Sequence, residues 1–251
     1  MANNIEDKTV RRGHFIERYK TGTANDYDEY LRRVDKLVRE ILTASSRISS
    51  TKQLFSIQKK LRAGMLDIYK DWNRKLTDEL IDFSQSEINF LLRASGLALT
   101  VPSASVLRSA IKSRPFQNRL LSESLSDLTR SEIKLLKNAI SQGYYAGDSN
   151  AAIITRIRGT KANNYLDGML SISKNRTTRL VRTAINHTSA RAKEALFQAN
   201  ADIVERYKWV STLDGRTSDI CKSLDGKTWK VGNGPLPPAH FNCRSTVIPV
   251  L

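Results

Sequence analysis

Cysteine is scarce in this chain, with two residues, Cys221 and Cys243, among 251. A chain of this length can bury a core without covalent staples, so no disulfide scaffold is required, and two cysteines fit a reducing compartment. Histidine is equally sparse, at positions 14, 187 and 240, and three sites so far apart predict no catalytic cluster. No apolar run approaches the roughly 20 residues a bilayer span needs, and the opening stretch MANNIEDKTVRR lacks the apolar core of a secretory signal. The expectation is a chain made in a cytosol. No P-loop, dinucleotide glycine fingerprint, nucleophile elbow or HExxH is present, so the nucleotide-binding and hydrolase classes those motifs define carry no signature here.

Acidic residues are also short, 25 against 41 basic, for a net charge of +16. The deficit is uneven. Residues 1–92 hold 17 basic and 14 acidic side chains, whereas residues 93–200 hold 17 and 6. Such an excess bears on partners rather than on fold, and points to nucleic acid, an acidic protein surface or an anionic membrane face.

What is present is mostly helical periodicity. Residues 1–25 are polar and show no sustained period, which predicts a mobile arm. From Asp26, apolar residues recur at three- and four-residue steps through Tyr27, Tyr30, Leu31, Val34, Val38 and Leu42, with Asp26 and Glu29 placed as a capping box. A second helix is predicted over about 51–80, carrying Leu54, Leu61, Met65, Ile68, Trp72 and Leu76. Ser84 and Glu87 read as a cap opening a third, ended near Pro102. Helices over about 103–112 and 116–128 follow. Thr129 and Glu132 then cap a segment stopped by Gly143. Asp148 or Ser149 caps a short helix with Ile153 and Ile157 buried and Gly159 as its stop, and an Ala-rich helix covers about 173–200. Beyond it, 207–212, 227–231 and 245–250 read as strands, with Asp214-Gly215 and Asp225-Gly226 as turns. The expected organisation is a polar arm at 1–25, a helical domain at 26–145 and a C-terminal domain at 146–251. The predicted fold class is mainly α with a small C-terminal α+β module, a short antiparallel sheet packed on a long helix.

The last 47 residues are the most distinctive, holding both cysteines, two of three tryptophans and four of six prolines. Their order runs from Trp209-Val210 through Asp214, Arg216, Thr217, Cys221, Asp225-Gly226 and Pro237-Pro238 to His240, Cys243 and Arg244. This order resembles the C-terminal domain of the phage Mu F-like head morphogenesis (minor head protein) family: an aromatic strand, D-x-R-T, a Cys, a D-G turn, then P-x-H-x-x-C-R. The resemblance covers roughly residues 150–251. Many members end Cys-Arg-Cys, and here Ser245 follows Arg244.

Cys221, His240 and Cys243 offer two thiols and an imidazole, three of the four ligands of a tetrahedral zinc site. Asp214, Asp219, Asp225 or a water could supply the fourth, Asp214 being the carboxylate to name first. A Cys221–Cys243 disulfide and a pair of buried thiols beside a loop histidine are the other open readings. Asp214, Arg216 and Thr217 form a polar turn in which the carboxylate accepts backbone N–H bonds, and Arg244 could clamp a carboxylate or a phosphate. Lys174, Arg176, Arg179 and Arg182 fall on neighbouring turns of one helix. With Arg156, Arg158 and Lys161 they could track a phosphate backbone, in a contact insensitive to sequence and weakened by salt. A solvated helix face is the alternative.

The resemblance implies a phage minor head protein rather than an enzyme. It implies a virion component assembled in the host cytoplasm, associated with the portal protein and with major capsid or scaffolding protein. Nonspecific contact with double-stranded DNA and no membrane partner complete that expectation. Family members are sometimes fused to enzymatic domains, and the chain ending at the motif argues against such a fusion. The readings from other classes are a small metal-dependent nuclease or toxin, and a zinc-stabilised DNA-binding module.

Overall fold

The structure, a computed structural model, describes residues 2–250. Seven α-helices carry most of the described chain: α1 (Ala2–Leu42), α2 (Thr51–Ser95), α3 (Ala104–Ser113), α4 (Leu121–Ala146), α5 (Asn150–Arg158), α6 (Met169–Gln198) and α7 (Asp219–Leu224). Three short strands follow α6: β1 (Arg206–Val210), β2 (Thr228–Lys230) and β3 (Thr246–Val250). They form one antiparallel sheet in the order β2-β1-β3. The chain is thus mainly α with a small C-terminal sheet, as expected. It divides into two compact units, one of residues 1–23, 76–123 and 179–251, the other of residues 24–75 and 124–178. These units interleave along the chain and do not follow linear boundaries at 25 and 145.

The predicted arm is a correction. Residues 2–25 are the opening of α1, and Ile5, Thr9, Ile16, Lys20, Thr23 and Ala24 are buried. Their spacing is helical, but Thr9, Lys20 and Thr23 occupy positions where a hydropathy pattern looks for apolar residues. The period is therefore masked by polar side chains that find partners inside. Lys20 donates to Glu17 Oε1 at 2.7 Å and to the Cys243 carbonyl at 3.2 Å.

All three predicted capping pairs lie inside helices instead. Asp26 and Glu29 fall within α1, Ser84 and Glu87 within α2, and Thr129 and Glu132 within α4. Ser84 Oγ donates to the Ile81 carbonyl and Thr129 Oγ1 to that of Leu125, the back-bonding that lets a hydroxyl sit mid-helix. Glu87 and Glu132 are buried acids with tertiary partners rather than N-terminal caps. Gly143 is not a terminator either. A Cβ there would run into the Ile153 side chain, so the glycine permits close packing of α5, and the helix ends three residues later. The Ser149 cap and the Gly159 stop of α5 are as expected.

In the unit of residues 24–75 and 124–178, Tyr27, Tyr69 and Trp72 form a buried aromatic group, and the two tyrosine hydroxyls hydrogen-bond to each other. Asn150 Nδ2 donates to the Leu42 and Ser45 carbonyls at 2.8 Å each.

In the other unit the sheet packs on the end of α6. Ala192, Ala195, Leu196 and Phe197 share one core with Ile88, Leu91 and Leu107 and with Tyr207, Trp209, Val247, Cys221 and Cys243. A buried polar network lies beside that core. Glu87, with no exposed side-chain surface, accepts from Arg12 Nε at 2.9 Å and from Ser189 Oγ, and faces Lys193 Nζ at 3.4 Å. Lys193 in turn donates to Thr246 Oγ1 of β3 at 2.6 Å.

His187 sits in the same unit on α6 against the Phe116 ring, with 4.9 Å between ring centroids. Burial, reinforced by the Arg191 charge, pushes its imidazole down to about 3 from 6.5. The unfolded chain therefore takes up a proton near pH 6.5 that the folded chain refuses until about pH 3, so stability is full above that range and lost as pH falls. Urea denaturation should show a loss of about 2 kcal/mol between pH 7 and pH 5. That slope should disappear in His187→Leu.

Candidate functional site

The terminal module is built by local turns that aim three side chains at one another. Ser218 caps α7, its hydroxyl accepting from the Cys221 backbone N–H, which fixes Cys221 on the first turn. The Cys221 carbonyl accepts from Ser211 Oγ at 2.8 Å and from the Asp225 N–H, and Asp225 Oδ1 accepts from the Ser211 N–H at 2.7 Å. Gly226, at φ +75°, closes the turn into β2, as Asp225-Gly226 predicts.

On the other side, the segment following the cis Pro237-Pro238 peptide brings in His240 and Cys243. It is held to α6, where the Asn242 N–H donates to Thr183 Oγ1 at 3.1 Å and Asn186 Nδ2 donates to the Ser245 carbonyl at 3.2 Å. Gln117 Nε2 donates to the Pro238 carbonyl at 3.3 Å. With the Lys20 bond to Cys243, these supporting groups come from segments distant in sequence. None of them carries a local signal that marks it for this role.

The result is that Cys221, His240 and Cys243 converge, with their ligand atoms all within 4.8 Å of one another. The two Sγ atoms are 3.7 Å apart, and Cys221 Sγ is 3.2 Å from His240 Nε2. Both cysteines are free thiols and buried. Their hydrogen bond lowers the Cys221 thiol to about 6, helped by Ser218, Ser245 and the Arg244 charge, and raises that of Cys243. A cavity of about 20 Å³ beside Cys221 and His240, between Thr217, Ser218, Asn242 and Ser245, has room for about one water molecule or ion.

Asp214 is not brought into this cluster. Arg244 takes it in a two-point pair at 2.7 and 2.5 Å, and its Oδ1 accepts the Arg216 N–H at 2.8 Å. The two-point pair with Arg244 and the backbone bond hold its carboxyl well below the ordinary range. The Asp214–Thr217 segment is thus a self-satisfied turn, and Arg244 clamps a carboxylate of this chain. Asp225 is engaged with Ser211, and Asp219 is exposed and pairs with Lys222.

The basic residues are placed differently from a free cationic stripe. In one unit Arg156 pairs with Asp148, Lys174 with Asp28, Arg176 with Glu132, and Arg158 with Asp35 while stacking on Tyr165. Lys161 is exposed on a short 3₁₀ turn. In the other unit Arg182 pairs with Glu17 and Arg179 lies over the Phe241 ring at 4.1 Å. Lys174 and Arg176 keep 42% and 48% of their side-chain surface exposed while paired, so these charges stay accessible.

A long Ala-rich helix, a three-stranded sheet laid on its end, and a Cys/His loop tied back to it define a helix-plus-sheet module of one kind. A family model described as Phage Mu protein F like protein matches residues 134–248, and that segment is similar to the Phage Mu F-like family. The match supports a role in phage head morphogenesis, and with it a component of the virion. No curated protein and no solved structure matches the chain. Among the described residues, no helix is long and apolar enough to cross a membrane.

The loop before the histidine also depends on one glycine. Gly234 has φ +126°, and a Cβ there would run into the Trp229 ring, which stacks on Tyr207 at 5.9 Å. Gly234→Ala should destabilise the protein by about 1–3 kcal/mol, read by thermal unfolding, with the Trp229 environment changed in fluorescence. Wild-type stability in that variant would mean that the loop yields freely.

Proposed function

We propose that this protein is a minor head protein that docks at the portal vertex and contacts packaged double-stranded DNA without sequence preference, in capsid assembly or genome exit. The family match over residues 134–248 is the observation that carries this reading. The excess of basic residues over 93–200 supports the DNA contact. The surface pair of Lys174 with Asp28 fits it as well. An exposed ion pair of this kind contributes little to stability, so a phosphate can replace Asp28 as the partner at small cost. The cation–aromatic contact of Arg179 with Phe241 holds its guanidinium group in place without neutralising it.

The direct test is co-expression with the portal protein of the same phage, followed by size-exclusion chromatography and native mass spectrometry. A discrete complex of fixed stoichiometry is expected, and separate elution at both low and moderate salt would overturn the portal assignment. In duplex binding, alanine at Lys174, Arg176 and Arg179 together should weaken all sequences alike. It should also flatten the log–log salt dependence by about 0.9 for each phosphate no longer neutralised. An unchanged slope would remove these residues from the interface. Metal-dependent cleavage of the DNA, abolished by His240→Ala, would replace the structural reading with a nuclease.

A further inference from the structure

We infer that Cys221, Cys243 and His240 form a zinc-binding site in which the fourth ligand is a water molecule, and that the bound ion ties α7 to the loop carrying His240 and Cys243.

Four observations carry this. Two thiolates at metal–sulfur distances of about 2.3 Å in a tetrahedral site stand about 3.8 Å apart, and the two Sγ atoms here are 3.7 Å apart. A disulfide would need about 2.05 Å between them and would leave the histidine without a part. His240 is oriented as a ligand. Its Nδ1 lies 2.8 Å from the Phe241 carbonyl, which can only accept, so Nδ1 carries the hydrogen and the Nε2 lone pair is turned toward Cys221 Sγ at 3.2 Å. A backbone carbonyl holding the distal ring nitrogen is the usual outer support of a metal-bound imidazole.

Third, the ligands sit on a rigid frame. Cys221 is fixed by the Ser218 cap, Asn242 and Ser245 are anchored to Thr183 and Asn186 of α6, and the Cys243 carbonyl is held by Lys20. A site preorganised in this way binds without the cost of loop ordering. Fourth, the donor set is self-consistent. Two thiolates neutralise a divalent cation, so no net charge is buried, and thiolate plus imidazole selects zinc over magnesium or calcium. Asp214 is committed to Arg244, and no carboxylate joins the cluster among the described residues. The small cavity lined by Thr217 and Ser218 then supplies a water rather than a fourth side chain.

The test uses the full-length, reduced protein, stripped with chelator and titrated with zinc under native mass spectrometry, and in parallel with cobalt(II) under absorbance. One zinc per chain is expected, with near-ultraviolet sulfur-to-cobalt charge transfer that disappears in Cys221→Ser and Cys243→Ser. Affinity should fall about tenfold or more in His240→Ala. No zinc adduct on the reduced wild-type chain would overturn the site. So would cobalt bands that persist in Cys221→Ser, or a wild-type mass lower by two hydrogens with no metal bound. The wild-type titration decides alone if the cysteine variants do not fold.

Discussion

The Glu87 carboxylate, fully buried, is the constraint on which the unit carrying the terminal module depends. An ion removed from water must be paired and hydrogen-bonded or it costs several kcal/mol. Burial by itself would raise its pKa, but Lys193, Ser189 and Arg12 together hold it below its ordinary value and keep it ionised. Those partners come from α1 and α6, and Lys193 passes the connection to Thr246 in β3. Four elements distant in sequence must therefore arrive together, or a charge is left stranded. Apolar packing around Trp209 and Phe197 supplies the burial. The network specifies which elements meet.

The module inherits its geometry from that frame. Helix α6 presents Thr183 and Asn186 to the loop that carries His240 and Cys243, and the sheet covers the end of the same helix. The α7 cap and the Asp225-Gly226 turn then set Cys221 opposite the loop. Within this segment, local hydrogen bonds fix each side chain's direction and α6 fixes its position. The Cys/His cluster thus rests on α7 for Cys221 and on a loop tied to α6 for His240 and Cys243, which suits a binding site.

Much of this is legible in the sequence, for identifiable reasons. The strands around Trp209 and Val247, the Ser149 cap, the Gly159 stop and the long Ala-rich helix all follow from local pattern, and the structure has them. The motif order points to the same family whose model matches residues 134–248. The opening of α1 is not legible, because Thr9 and Lys20 sit on its buried face and polar residues there hide the period. Ser84-Glu87 and Thr129-Glu132 mislead because a hydroxyl three residues before a glutamate has the spacing of a cap. Only the tertiary partners Arg12, Lys193 and Ser173 show the acids to be interior. The grouping of Cys221 with His240 and Cys243 is one of the readings the sequence leaves open, and the fold brings the three together. The engagement of Asp214 with Arg244 is not legible, since either residue is equally suited to a ligand.

The most direct test of the network's role is a double-mutant cycle on Glu87 and Lys193, with unfolding free energies from urea denaturation at pH 7. The account predicts that Glu87→Ala and Lys193→Ala each cost about 3 kcal/mol or more, because the first leaves Lys193 buried without its counter-charge and the second leaves the buried Glu87 with Arg12 as its one remaining cation. The double variant should cost clearly less than their sum. Single variants within about 0.5 kcal/mol of wild type, or strictly additive losses, would contradict the claim that this ion pair holds α1, α2, α6 and β3 together.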